Sequence, residues 1–167
     1  VKAAEIIRKA KPHALIVAGG PHPSICSEQV SAETVFDHVV VGEGEVTFPK
    51  LIVNPKSYPR IVHGERPDLN ALPYENREVF NLKKIFETKS PYTGKPFMPM
   101  PFVNLISGRG CIWKCKFCKP GEDMIFGKFR MRSLTHFFGE IEMLNAKYDF
   151  QTLMIDDDSF TLFPEYT

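Results

Sequence analysis

Three of the four cysteines fall within eight residues: Cys111, Cys115 and Cys118, in C-x-x-x-C-x-x-C spacing. Three thiolates on one short loop can hold three corners of a cube-shaped iron–sulfur cluster, a [4Fe-4S] centre that normally takes four Cys ligands. With no fourth local ligand, one iron stays open to something other than the protein. An open coordination position marks chemistry rather than scaffolding. Two other readings stay open on the residues alone. A structural zinc site wants four ligands, usually paired C-x-x-C or C-x-x-C with two His. Only one C-x-x-C is present, and His136 has no second His beside it. Three incidental buried thiols fit poorly on a loop that also carries Lys114, Lys116 and Lys119.

The elements that must carry this loop form the third of three segments. Phe102–Ser107 reads as a strand leading into it. After the loop come Arg130-Met131-Arg132, then Ser133 as the N-cap of a helix to about Tyr148, with Leu134, Phe137, Phe138, Ile141 and Leu144 on one face. Thr152–Ile155 reads as a second strand, ending in Asp156-Asp157-Asp158. Strand, loop, helix, strand is one βαβ unit.

The first segment alternates helix and strand signals. Residues 2–10 have helical spacing and stop before Pro12. Residues 14–18 and Val39-Val40-Val41 are uninterrupted apolar runs, typical of parallel strands buried on both faces. The first ends in Gly19-Gly20-Pro21 and the second in Gly42-Glu43-Gly44-Glu45. Short helices are expected around Ser27–Ala32 and over Val46–Val53. This reads as one edge of a doubly wound α/β sheet. Between these segments, nine of the 14 Pro fall in residues 49–101. A stiff linker is therefore expected over residues 54–100, with domains at 1–53 and 101–167; Arg60–His63 and Glu78–Phe86 could lie against either.

Composition narrows the functions. The 167 residues are 43% hydrophobic, enough for a core. Lys and Arg number 21 against 20 acidic residues, a net charge of +1, which argues against a basic nucleic-acid arm or electrostatic docking to a membrane. No apolar run approaches a membrane span. The clustered Cys do not read as a secreted disulfide framework, so a cytoplasmic setting is expected. The chain starts at Val1 already in a helical pattern and closes just after the Asp run, which reads as an internal fragment of a longer protein.

Ser107-Gly108-Arg109-Gly110-Cys111, then Cys115-Lys116-Phe117-Cys118, resembles the motif of the radical S-adenosylmethionine superfamily. The likeness runs on through Arg130–Ser133, Glu140-Ile141 and Asp157–Thr161. Upstream, Val17–Pro23 and Val39–Glu45 resemble the later part of a cobalamin-binding domain. The resemblance implies a Rossmann-like α/β domain followed by the first βαβ unit of a partial (β/α) barrel. It implies that Cys111, Cys115 and Cys118 ligate three irons, and that the amino and carboxylate groups of S-adenosylmethionine chelate the fourth. It implies reductive cleavage of S-adenosylmethionine to a 5′-deoxyadenosyl radical, with cobalamin serving methyl transfer to an unactivated carbon or a related radical cyclisation.

Asp157 and Asp158 are then candidates to bind the cofactor's ammonium group, with loop capping as the alternative. Phe117 is a candidate to pack on adenine, with a core aromatic as the alternative. Gly19, Gly20, Gly42 and Gly44 are candidates to let cobalamin approach the sheet's carboxyl edge. His22 reads as a turn residue and Cys26 as a small buried one. The basic loop between Arg109 and Arg132 could receive an acidic electron donor such as flavodoxin or ferredoxin, or could simply be solvated. A small molecule or peptide is the expected substrate. The alternatives are a methylthiotransferase-like radical enzyme, against which only Cys26 is available as an upstream ligand, and a non-catalytic zinc-binding module.

Overall fold

The computed structural model describes residues 1–81, 84, 101–113, 115–118, 125–158 and 160. Lys114, Lys119, Ser159 and Thr161, and most of the expected linker beyond residue 81, lie outside the described residues. The chain divides into two units, Val1–Asp68 with Gly110–Phe129, and Leu69–Arg109 with Arg130–Thr167. The cysteine loop, expected with the C-terminal segment, thus groups with the N-terminal one.

In the first unit, helix α1 (Lys2–Ala10) leads to strand β1 (Val17–Ala18), short helices α2 (Pro21–Ile25) and α3 (Ser27–Ser31), and strand β2 (His38–Val41). Helix α4 (Thr47–Val53) and strand β3 (Ile61–His63) complete it. The three strands form one parallel sheet in the order β1-β2-β3, with Val17 opposite His38 and Val39 opposite Ile61. Val39 packs with Ala18 and Val30, while its neighbour Val40 packs with Leu51 and Val62. Successive residues of a strand point to opposite faces, so two separate clusters require an apolar residue at every position. That is why β2 reads as an unbroken run of valines.

Residues 54–68 are not the bare linker expected from their prolines. They supply β3 and a turn of 3₁₀ helix at Pro55–Ser57, with Val62 buried in the sheet's core. Helix α2 was not expected either. Pro21 stands at its first position, where the missing N–H costs nothing.

The edge of this sheet is tied by one ion pair. Arg8, from the last turn of α1, donates to the Pro12 and Ala14 carbonyls and to Asp37, the last at 2.7 Å. Asp37 also accepts from the Ile16 N–H at 2.7 Å. Burial alone would raise the Asp37 pKa, but the Ile16 N–H and the Arg8 guanidinium together hold it below the ordinary 3.8.

In the second unit, strand β4 (Phe102–Leu105) and strand β7 (Thr152–Ile155) pair in parallel, Phe102 opposite Thr152 and Leu105 opposite Ile155. Helix α5 (Leu134–Lys147) lies between them in sequence, so β4, α5 and β7 make the expected βαβ connection. Ser133 caps α5 by accepting from the His136 N–H at 3.2 Å. Val103, Leu105, Phe137 and Leu144 form the core, while Phe138, expected on the same helix face, is half exposed. Two short strands, β5 (Gly108–Arg109) and β6 (Arg130–Met131), pair antiparallel. Among the described residues no helix is long and apolar enough to cross a membrane.

Candidate functional site

The sheet of the first unit presents its carboxyl edge as three glycine exits. Gly19 and Gly20 follow β1, Gly42 follows β2, and Gly64 follows β3. Gly20 and Gly42 have φ of 97° and 81°, in the region that L side chains rarely adopt. Ser24, 1% exposed on α2, connects the first two exits. Its hydroxyl donates to the Gly20 carbonyl at 2.8 Å and accepts from the Gly42 N–H at 2.8 Å. Gly64 donates to the Val41 carbonyl at 2.9 Å, and a Cβ there would overlap the Glu43 carbonyl. Gly44 accepts from the Phe48 N–H as the chain enters α4. The edge is therefore low in side chains where a flat ligand would lie against it.

Ser24 and Gly64 were invisible in the sequence. The Ser24 role depends on a partner 18 residues away, and Gly64 looked like part of a linker. Cys26 joins α2 to α3 and is half-buried rather than buried. His38 is buried, with Nδ1 2.8 Å from the Pro59 carbonyl. His22 is exposed at the start of α2.

The cysteine loop leaves β5 and returns to β6, so the paired strands close its base. Cys111 is half-buried, Cys115 and Cys118 are exposed, and none of the three is in a disulfide. The Cys118 N–H donates to the Cys115 carbonyl at 3.1 Å, a tight turn across the last two cysteines. Among the described residues, no three His, Cys, Asp or Glu side chains are gathered as a metal cage. The donor set still suits a cluster. Soft thiolates with no carboxylate or imidazole between them favour iron–sulfur or zinc over hard cations. Phe117 is 93% exposed, which removes the core-aromatic alternative.

The Asp run divides its roles. Asp157 is committed inside the second unit: one oxygen accepts from the Ser107 N–H at 2.9 Å, and the other takes the Ser107 hydroxyl. Asp158 is exposed. Asp157 thus makes the hydrogen bonds that loop capping would make, and Asp158 keeps a carboxylate facing solvent. Arg132 is a further residue that sequence reading passed over. Its backbone N–H donates to the Ser107 carbonyl at 2.9 Å and its guanidinium to the Ile106 carbonyl at 3.1 Å. It also donates to His136 Nδ1 at 2.9 Å, which puts the ring proton on Nε2, facing the Leu72 carbonyl.

Residues 1–52 match the family model of the B12-binding domain. Similar proteins match far beyond that segment. An uncharacterised methyltransferase of Pyrococcus horikoshii is 31% identical over 95% of this chain, covering 36% of its own length. The cobalamin-dependent radical SAM methyltransferase TokK of Streptomyces tokunonensis is 27% identical over 98% of the chain and 26% of its own length. Residues 1–52 are thus similar to B12-binding domains, and nearly the whole chain is similar to proteins named as methyltransferases, one of them cobalamin-dependent and radical SAM. A third relative, the 2-(S-pantetheinyl)-carbapenam-3-carboxylate methyltransferase of Streptantibioticus cattleyicolor, is also 27% identical over 98% of the chain, again 26% of its own length. The chain thus spans between about a quarter and a third of the relatives it matches. No solved structure matches it significantly. The B12-binding match ends within α4, so β3 and Gly64 extend the sheet past the matched residues.

Proposed function

We propose that the chain is the cofactor-loading part of a cobalamin-dependent radical S-adenosylmethionine methyltransferase. The observation that carries this reading is the coexistence, on one short chain, of a B12-binding sheet with a glycine-lined carboxyl edge and a C-x-x-x-C-x-x-C loop. Cys111, Cys115 and Cys118 would hold three irons of a [4Fe-4S] cluster, and the fourth iron would take the amino and carboxylate groups of S-adenosylmethionine. When bound, that cluster supplies the electron that opens the sulfonium reductively, and cobalamin supplies a transferable methyl group.

The chain's own residues would bind and orient. Gly20 and Gly42, held by Ser24, keep the sheet edge open to the corrin. Phe117 offers an exposed ring for the adenine, and Asp158 an exposed carboxylate for the ammonium group. Asp157, each of whose oxygens already accepts from Ser107, would act on the loop and not on the cofactor. The segment β4–α5–β7 would be the first βαβ unit of the catalytic barrel.

The test is spectroscopic. After anaerobic loading with iron and sulfide and one-electron reduction, adding S-adenosylmethionine should shift the electron paramagnetic resonance of the cluster. Replacing any one of the three Cys by Ala should abolish the signal. Hydroxocobalamin should bind in near-equal stoichiometry with a change in its visible spectrum. A reduced cluster indifferent to S-adenosylmethionine would contradict the proposal.

A further inference from the structure

Exposure of Cys115 and Cys118 raises the question of what fixes the loop that bears them. The loop segment Gly110–Phe129 begins and ends at the β5–β6 pair, which is only two residues long on each side. A pair so short contributes little order by itself. How the loop leaves and rejoins the pair therefore depends on the bonds made by the residues at its two ends.

Ser107 is the point where those holds converge, and it is 1% exposed. Its N–H and hydroxyl are both bound by the two oxygens of Asp157, which leaves β7. The Gly108 N–H approaches the same carboxylate at 3.4 Å. The Ser107 carbonyl accepts from the Arg132 N–H, at the exit of β6. One residue thereby ties the outgoing limb of the loop, the returning limb and the neighbouring parallel strand. Hydrogen bonds to an ionised carboxylate are about twice as strong as neutral ones, and bidentate capture fixes orientation as well.

We infer that Ser107 and Asp157 are a positioning pair for the thiolate ligands, setting the take-off of the cysteine loop rather than touching the cofactor. This rests on the proposed cluster. Groups that orient metal ligands from outside commonly cost about 10–100-fold in metal affinity when removed.

The experiment measures loss of iron from the reconstituted chain to an excess of a ferrous chelator, at a temperature where circular dichroism shows every variant folded. Ser107→Ala and Asp157→Asn should each release iron about tenfold faster than the parent chain. Ser107→Thr, which keeps the hydroxyl, should behave as the parent. The double variant should lose little beyond either single one, because both remove the same interaction. Asp149→Asn, an exposed carboxylate on the same unit, is the control. If Asp157→Asn does not fold, Ser107→Ala alone decides, since it keeps the backbone bond. Parent-like release from folded Ser107→Ala would overturn the inference while leaving the cluster intact. A parent chain that takes up no iron would overturn the cluster reading itself, and the positioning role with it.

Discussion

At the scale of single residues, two hydrogen-bond centres, the buried Ser24 and the half-buried Asp37, carry checkable consequences. Ser24→Ala would leave the part-buried Gly42 N–H without its Ser24 acceptor. A fully buried donor left unmade costs about 1–3 kcal/mol, so urea unfolding should show a loss of about 1 kcal/mol, the lower end of that range. Asp37 gives a pH prediction with a definite sign. Its folded pKa is held below 3.8, so its contribution is present above that value and lost as pH falls through the lower folded value. Asp37→Asn should cost about 0.5–1 kcal/mol near neutrality, a modest figure because the side chain is 38% exposed. As pH falls below 3.8 the denaturant midpoints of the two proteins should draw together. The candidate metal-binding residues could be named from spacing alone: three Cys in eight positions needed no structure. Ser24, Ser107 and Arg132 were not legible in that way, because each acts through a partner far along the chain, and spacing rules see only neighbours.

At the scale of elements, the second unit is braced by a buried ionic network. Glu140, 4% exposed on α5, lies 2.7 Å from Arg132 and 3.8 Å from Arg77. Arg77 also donates to the Asn104 carbonyl of β4 at 2.6 Å. The network links the helix, the strand and the segment after β6. Removing one member of a buried ionic set leaves the other charges uncompensated, at about 3–5 kcal/mol. Glu140→Gln should therefore lower the urea midpoint far more than Glu142→Gln, which alters an exposed position on the same helix. The elements themselves were partly legible. Helix α5 showed its cap and its apolar face, and β2 showed a run that only a strand covered on both sides would need. The β5–β6 pair did not show, since two residues per strand leave no period to detect. Arg60–His63 stood out among the prolines as an ordered piece, but not the sheet it joins, because that is fixed by pairing with β2.

At the scale of the whole molecule, two parallel sheets in separate units serve different ends. The first offers a glycine-lined edge and matches the B12-binding family. The second holds the take-off of the cysteine loop through Ser107. Prolines between residues 49 and 101 suggested a linker, yet part of that stretch completes the first sheet and Arg77 is buried in the second unit. Composition shifts mark where a chain changes texture, and pairing decides where a unit ends. The central claim is that three thiolates leave one metal corner free. The most direct test is to count iron, sulfide and zinc on the anaerobically reconstituted chain and on its Cys111→Ala, Cys115→Ala and Cys118→Ala variants. About four iron and four sulfide per chain, with a broad brown absorbance lost in each variant, is the expected result. Stoichiometric zinc without that chromophore, or a cluster saturated by a fourth side chain, would contradict it.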